Sequence, residues 1–389
     1  MNKIKSEKES SKESISNYQA FALIYSCMFG AGVLSLPREI TRITGTDTIW
    51  VILVAGVVTW LLIMLLSWLT QRFPRLSIVQ FAPEILGFGQ KKWGGKWLSV
   101  PFWLVLASFW VIGIAVISRV FSEAVLTTIL PNTPVEAIML TVLITGAFAA
   151  GSDLGTVAKY NELLLPFSFL PFFFMVFALL ERGELTNLLP LGQIGWWHVG
   201  KGILSAAYAY FGYEVILMFS GFYQQPEKAW KAHSLAVLGV TFSFWYITVT
   251  SLSVFGTEEL NRIFLPVLES IKEVQVQVMI LDRIEAGILA IWLLVVFTSV
   301  ANLYAALVEM IMQVFKLKER VRRWVAFAVI PVVYFLSVIP RNVQELSIYM
   351  EWTGWAGMSL SFVIPAVLLT IALIRKKRGK RNDEAPAAV

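Results

Sequence analysis

Ten stretches of this chain are each apolar and long enough to serve as a membrane span, and no other feature constrains its fold as strongly. The hydrocarbon core of a bilayer needs about 20 predominantly apolar residues per helix. The stretches cover residues 18–42, 47–71, 97–124, 134–152, 157–181, 200–223, 231–255, 284–314, 324–340 and 346–374. Of the 389 residues, 57% are hydrophobic and 15% charged, where a soluble domain carries about 25% charged residues. A single globular core cannot hide so much apolar surface, so the expected fold is an all-α integral membrane protein of ten transmembrane helices. Residues 1–17 are polar and mixed in charge and read as a disordered tail. Residues 18–374 form the membrane domain, and 375–389 a short basic tail.

Most of the 32 lysines and arginines fall in the two tails and in the even-numbered loops. Positive charge stays on the cytoplasmic side, so both termini are expected there, in keeping with an even number of spans. The formal charge of +6 does not point to nucleic acid, because the cations sit at the ends of apolar runs. The polar opening carries no pattern of a cleavable signal peptide. Cys27, the single cysteine, lies inside a span and reads as a small packing residue. Two amphipathic pieces, 77–88 and 259–274, are too charged to cross. They lie along the membrane surface, pack on the bundle or serve as plain loop helices.

The first span contains "YSCMFGAGVLSLP", with Gly30 and Gly32 where each costs about 1 kcal/mol of helix relative to alanine. The sixth contains "AYAYFGYEVILMF", with Gly212 in the middle and Glu214 two residues on. Ten spans divide five and five, and these two segments then occupy corresponding positions. Because five is odd, the second half enters the membrane from the opposite side, giving an inverted repeat. Matched glycine-interrupted helices are the best sequence pointer to a transporter binding site. Unpaired backbone groups in lipid cost several kcal/mol each, so a break survives only where something satisfies them. The N–H groups of Ala31, Gly32 and Val33 suit an anion, and the carbonyls of 27–29 suit an ammonium or a cation. An amino acid carries both charges. The competing reading is that the glycines only let helices pack closely.

Other polar residues in the spans are weighed the same way. Glu214 meets a ligand ammonium, carries a proton, or caps the broken helix. Lys159 either snorkels to headgroups or sends its ammonium to the broken first helix in place of a sodium ion. Asn161 and Glu162 lie beside it. Arg119 and Glu123, four apart, are expected to pair. Trp103 and Ala107 share a face of the third span and are candidates for the pocket wall. On the eighth span Thr298, Ser299 and Asn302 fall within one turn, with Thr298 and Asn302 on one face. Glu309 is expected to reach the headgroups, and His198 and His233 to be interfacial. No carboxylate, cysteine and histidine cluster has metal spacing, and no nucleotide-binding or hydrolase motif is present. No cofactor, metal or enzymatic activity is expected.

Ten spans with interrupted first and sixth helices resemble the amino acid–polyamine–organocation superfamily, with its leucine-transporter-like fold. More narrowly, "ISNYQAFALIYSCMFGAGVLSLPREI", "AYAYFGYEVILMF", "FLPVLESIKEVQV" and "LDRIEAGILAIWLLVVF" resemble the B subunits of bacterial spore germinant receptors. The resemblance implies a subunit of the spore inner membrane, working with a membrane A subunit and a lipoprotein C subunit. It implies a nutrient germinant, often an amino acid, bound mid-membrane and triggering germination. Carried onto this sequence, the pocket comprises Gly30, Ala31, Gly32, Trp103, Ala107, Phe211, Gly212, Glu214, Thr298 and Ser299, with Lys159 a candidate for ion coupling. The alternative is a proton-coupled amino acid permease, which shares the fold and the pocket.

Overall fold

The computed structural model describes residues 14–30, 32–87, 92–272 and 284–379. Among these residues it contains fifteen α-helices and no strand, apart from one backbone bridge between Ile15 and Tyr223. Seven helical stretches are long and apolar enough to cross a membrane. They carry the second, third, fifth and seventh to tenth spans. The fourth span is shorter, and the first and sixth are broken.

The first span is two helices, α1 (Asn17–Phe29) and α2 (Gly32–Thr44). A capping box starts α1: Ser16 Oγ accepts the Gln19 N–H, and the Gln19 amide oxygen accepts the Ser16 N–H. It stops at Gly30, whose ψ of −124° is not helical. Helix α3 (Thr48–Arg72) is the second span, about 37 Å long at 1.5 Å per residue. The third is α5 (Lys92–Thr128), and between them α4 (Ile78–Leu86) does not cross. Its Ile78, Phe81, Ala82 and Ile85 are buried, so it packs on the bundle.

Helix α6 (Val135–Ala150) is the fourth span. The fifth is not one rod: α7 (Leu154–Leu164) and α8 (Leu170–Arg182) are joined by a tighter 3-10 stretch, Leu165–Phe169. Pro166 and Pro171 explain this, since each lacks the N–H that the preceding turn needs. The sixth span is α9 (Trp196–Ala206), an irregular stretch 207–212, a 3-10 turn at Tyr213–Val215 and the single turn α10 (Ile216–Phe219). Then come α11 (Ala229–Leu260), the short α12 (Pro266–Lys272), α13 (Ile284–Phe315), α14 (Arg322–Val338) and α15 (Val343–Ile374).

Helix α13 packs on α1, α5 and α6, while α11 packs on α1 and α3. Outward-facing Leu53, Val57, Leu61, Leu104 and Val105 are exposed, an arrangement that lipid, not water, accommodates. Both ends of the described chain lie at one end of the bundle. Ile15 N–H donates to Phe222 O at 2.8 Å, and Gln224 N–H to Ile15 O at 2.9 Å. Gly379 N–H donates to Arg72 O at 3.1 Å, and Arg72 Nε to Lys377 O at 2.8 Å. Arg375 and Lys377 donate to carbonyls at the end of α4, where cations complement the helix dipole. Of the expected N-terminal tail, residues 1–13 lie outside the described residues. So do 380–389 of the basic tail and 273–274 of the second amphipathic piece.

Three expectations for charged groups resolve here. Arg119 and Glu123 do pair, Nη2 to Oε1 at 2.8 Å. Glu309 does not reach the headgroups: it is buried, 2.5 Å from Arg322 Nη2, and also accepts from Gln313 at 2.7 Å. His233 is not interfacial either. It is fully buried, with Ser67 Oγ 2.8 Å from Nδ1 and Tyr223 OH 3.0 Å from Nε2.

Candidate functional site

The two broken spans meet. At the first break, a Cβ on Gly30 would lie 1.8 Å from Ser299 Oγ, and one on Gly32 would lie 2.4 Å from Ala209 Cα. The glycines therefore let α13 and the irregular part of the sixth span touch the first span's backbone. Ser299 Oγ donates to Ser26 O at 2.8 Å, satisfying one of the carbonyls that a helix end leaves without an intrahelical partner. Asn302 Nδ2 approaches Leu23 O at 3.4 Å. Thr298 turns back onto its own helix, donating to Val295 O at 2.6 Å. The face toward the break is thus Ser299 with Asn302, not Thr298 with Asn302. Ala31 lies outside the described residues.

At the sixth break, Gly212 has φ +109° and so holds a conformation that L side chains rarely adopt. Cys27 Sγ donates to its carbonyl at 3.2 Å, tying the first break to the sixth. Glu214 is 1% exposed and closes the turn: Oε2 accepts the Gly212 N–H at 2.9 Å and Oε1 accepts from Ser361 Oγ at 3.1 Å. Among the described residues no lysine, arginine or histidine pairs with this carboxylate. Backbone capping, one of the roles weighed for Glu214, is the contact this state makes. Phe211 is buried edge-on against Phe109, with ring centroids 5.0 Å apart, and beside Gly113.

The third span meets the site at a different place from the one expected. Phe109 and Gly113 face Phe211, and Trp110 beside them is fully buried. Trp103 stands nearly two turns from Phe109, and Ala107, two residues from Phe109, is turned about 200° around the helix. Trp103 donates to Ile78 O at 3.4 Å and lines a separate cavity of about 610 Å³ between α4 and the last turns of α13. Ala107 is half-buried. A long apolar helix carries no polar marker of register; Gly113, a small residue near its middle, is the signal that could have found the right turn.

Lys159 is exposed on α7, and its ammonium does not reach the first helix. The buried face of that turn holds Ala158 and Asn161 instead. Asn161 and Asn302 exchange side-chain hydrogen bonds at 2.6 and 2.9 Å, joining the fifth and eighth spans. Lys159 and the buried Ala158 point apart because one residue is 100° of turn.

In this state the site is closed. Two cavities of about 10 Å³ flank it, one bordered by Gly32, Ser35, Tyr208 and Ala209, the other by Thr59, Tyr213 and Glu214; each has room for about one water. Three buried polar atoms around the breaks have no hydrogen-bond partner: Ser26 Oγ, Trp110 Nε1 and Tyr208 OH. Unpaired groups of this kind cost about 1–3 kcal/mol each and call for an explanation. No group of three histidine, cysteine, aspartate or glutamate side chains among the described residues is placed to hold a metal.

Comparison with solved structures gives the fold. The chain is similar to MhsT in complex with L-phenylalanine, with a TM-score of 0.59 and 14% identity over 91% of this chain and 97% of that one. It is also similar to Mhp1, a nucleobase-cation-symport-1 family transporter in a closed conformation, with a TM-score of 0.64 and 13% identity over 94% of this chain and 80% of that one. The fold is therefore the five-plus-five, leucine-transporter-like one, with broken first and sixth helices. Sequence comparison gives the family. The chain is 30% identical to spore germination protein YndE of Bacillus subtilis (strain 168), over 94% of this chain and 98% of that protein. It is 23% identical to spore germination protein GerLB of Bacillus cereus (96% and 98%) and 21% identical to spore germination protein B2 of B. subtilis (95% and 98%). The spore germination protein family matches residues 14–346, and it is to this family of membrane proteins, not to any enzyme family, that the chain belongs.

Proposed function

We propose that this chain is the nutrient-sensing subunit of a spore germinant receptor and that it binds a small amino acid between its broken first and sixth spans. The observation that carries the reading is Glu214 at the sixth break, a buried carboxylate with no basic partner among the described residues, beside a first break tied to it by the Cys27–Gly212 hydrogen bond. The carbonyl end of α1 adds about half a negative charge nearby. A ligand ammonium answers both, while the N–H groups opening α2 suit its carboxylate. Ser26 Oγ, Trp110 Nε1 and Tyr208 OH offer further polar contacts. Gly30, Gly32, Phe211, Gly212, Glu214 and Ser299 are the residues proposed to line the site. That the similar MhsT structure holds L-phenylalanine supports the ligand class.

Binding works as a switch in this reading. The ammonium competes with the Gly212 N–H for Glu214, so ligand favours a state in which the sixth break is released. Only a ligand with different affinity for the two states can shift their populations. The signal passes to A and C subunits in the spore inner membrane, with both termini of this chain in the cytoplasm, the side that the lysine and arginine distribution favours.

A strain lacking only this chain, challenged with amino acids, sugars and nucleosides, tests the role. Selective loss of the response to one amino acid supports it, and an unchanged response to every compound contradicts it. The transporter fold favours one second reading, a proton-coupled amino acid permease. Concentrative, proton-dependent uptake by the purified chain in proteoliposomes selects the permease over the sensor.

A further inference from the structure

The cavity of about 610 Å³ beside Trp103 lies away from both breaks and has the size of a small-molecule site. It sits at the end of the bundle that carries both ends of the described chain, where Lys377 Nζ donates to Gly87 O at 2.8 Å just past α4. Its inner wall is apolar and buried, with Val79, Trp103 and Met312. Its outer wall carries Glu84, Lys96 and Lys316, all exposed, so the cavity opens there. Beside the two lysines stand Trp97, 71% exposed, and Phe315, 69% exposed. Exposed aromatics next to lysines, on two separate helices, mark the level of the lipid headgroups.

The charges at this opening are unanswered. Among the described residues neither lysine has an ion-pair partner, and neither has Glu84. Glu309 and Glu319 also line the cavity, but Arg322 holds both, at 2.5 and 2.7 Å. With Arg322 counted, three bases stand with three acids, so the wall has no net charge and suits a zwitterion over an anion. A primary ammonium can donate hydrogen bonds to Glu84, which a quaternary one cannot.

We propose that this cavity holds one phospholipid with a primary-amine headgroup. Its phosphodiester lies on Lys96 and Lys316, its ammonium on Glu84, and the first carbons of its chains on Trp103 and Met312. Such a lipid braces α4 against α13. Ser77 Oγ already ties those two by donating to Gln313 Oε1 at 2.5 Å, and Ser220 Oγ, at the end of the sixth span, donates to Leu76 O at 3.5 Å.

The test incubates the full chain, purified in detergent, with equal amounts of phosphatidylethanolamine, phosphatidylcholine and phosphatidylglycerol of identical acyl chains. Retained lipid is counted by native mass spectrometry. The wild type is expected to keep phosphatidylethanolamine in preference to the other two, and to melt at a higher temperature with it, as a ligand of the native state requires. Lys96→Ala/Lys316→Ala should weaken its retention about tenfold or more, given what two lysines contribute near phosphate. Glu84→Gln should remove the preference over phosphatidylcholine. All three side chains are exposed, so both variants should melt like the wild type without lipid. Equal retention of the three lipids, a preference for phosphatidylglycerol, no retained lipid, or an ethanolamine preference that either variant leaves unchanged overturns the proposal. No amino acid is present, so none of these outcomes bears on the ligand site between the broken spans.

Discussion

The two breaks in this membrane domain are closed by opposite means. The first is closed by its neighbours: Ser299 of α13 feeds a hydrogen to Ser26 O, and the glycines let Ser299 and Ala209 press against the backbone. The sixth is closed largely by itself, with Glu214 folding back onto Gly212 N–H two residues upstream and Ser361 and Cys27 assisting from outside. The difference assigns them different tasks. A break held by packed neighbours is a fixed wall, and one held by its own titratable side chain can be released by anything that takes that side chain away. Cys27, bonded to Gly212 O, joins the two.

This contrast orders the expected effects of mutation. Gly32→Leu should do the most damage, because its first side-chain carbon already overlaps the backbone of Ala209. Germinant response should be lost while membrane insertion, followed by fractionation, persists. A normal response would mean that the first break is not a wall of the site.

Gly212→Ala comes next. It forces a side chain into φ +109°, which costs about 1–2 kcal/mol for L residues, and sets its Cβ 2.7 Å from Cys27 Sγ. Melting in detergent should show a clear loss of stability. The double variant Gly212→Ala/Cys27→Ala should recover the steric part and not the backbone part. Full recovery would show that the positive φ is not what the position requires.

Glu214→Gln probes the self-closed break directly. The amide keeps an oxygen for Gly212 N–H, so melting should stay near wild type. Affinity for the amino acid should fall at least tenfold, about 1.4 kcal/mol, because the ammonium loses its carboxylate. Unchanged affinity would leave Glu214 as a cap alone. Ser361→Ala should have the smallest effect, about 1 kcal/mol or less for one hydrogen bond, read as a modest drop in melting temperature. A loss larger than that of Gly212→Ala would invert the assignment of the two breaks.

Much of this architecture was legible in the sequence because the bilayer enforces it. Apolar length gave the spans, and Gly30, Gly32 and Gly212 gave both breaks, since a helix in lipid is interrupted only at some cost. Arg119 and Glu123 were readable as a pair because four residues is a local spacing. Rotation and long-range pairing were not readable. Whether Lys159 or Asn161 faces the first helix depends on the rotation of α7 about its own axis. That the third span offers Phe109 and Gly113, not Trp103 and Ala107, depends on its depth in the membrane for Trp103 and on its rotation for Ala107. Glu309 with Arg322, and His233 with Ser67 and Tyr223, are partners that only the folded chain brings together. The 3-10 stretch of the fifth span follows from Pro166 and Pro171, but hydropathy alone merges the two helices it separates.

The most direct measurement is equilibrium binding of a panel of radiolabelled amino acids to the purified full chain, beside Gly32→Leu and Glu214→Gln proteins that elute as monodisperse species. If the breaks hold a small zwitterion, at least one amino acid binds the wild type saturably, Gly32→Leu abolishes that binding and Glu214→Gln weakens it. Saturable binding that survives Gly32→Leu unchanged, or no saturable binding of any amino acid, would contradict a ligand site between the two broken spans.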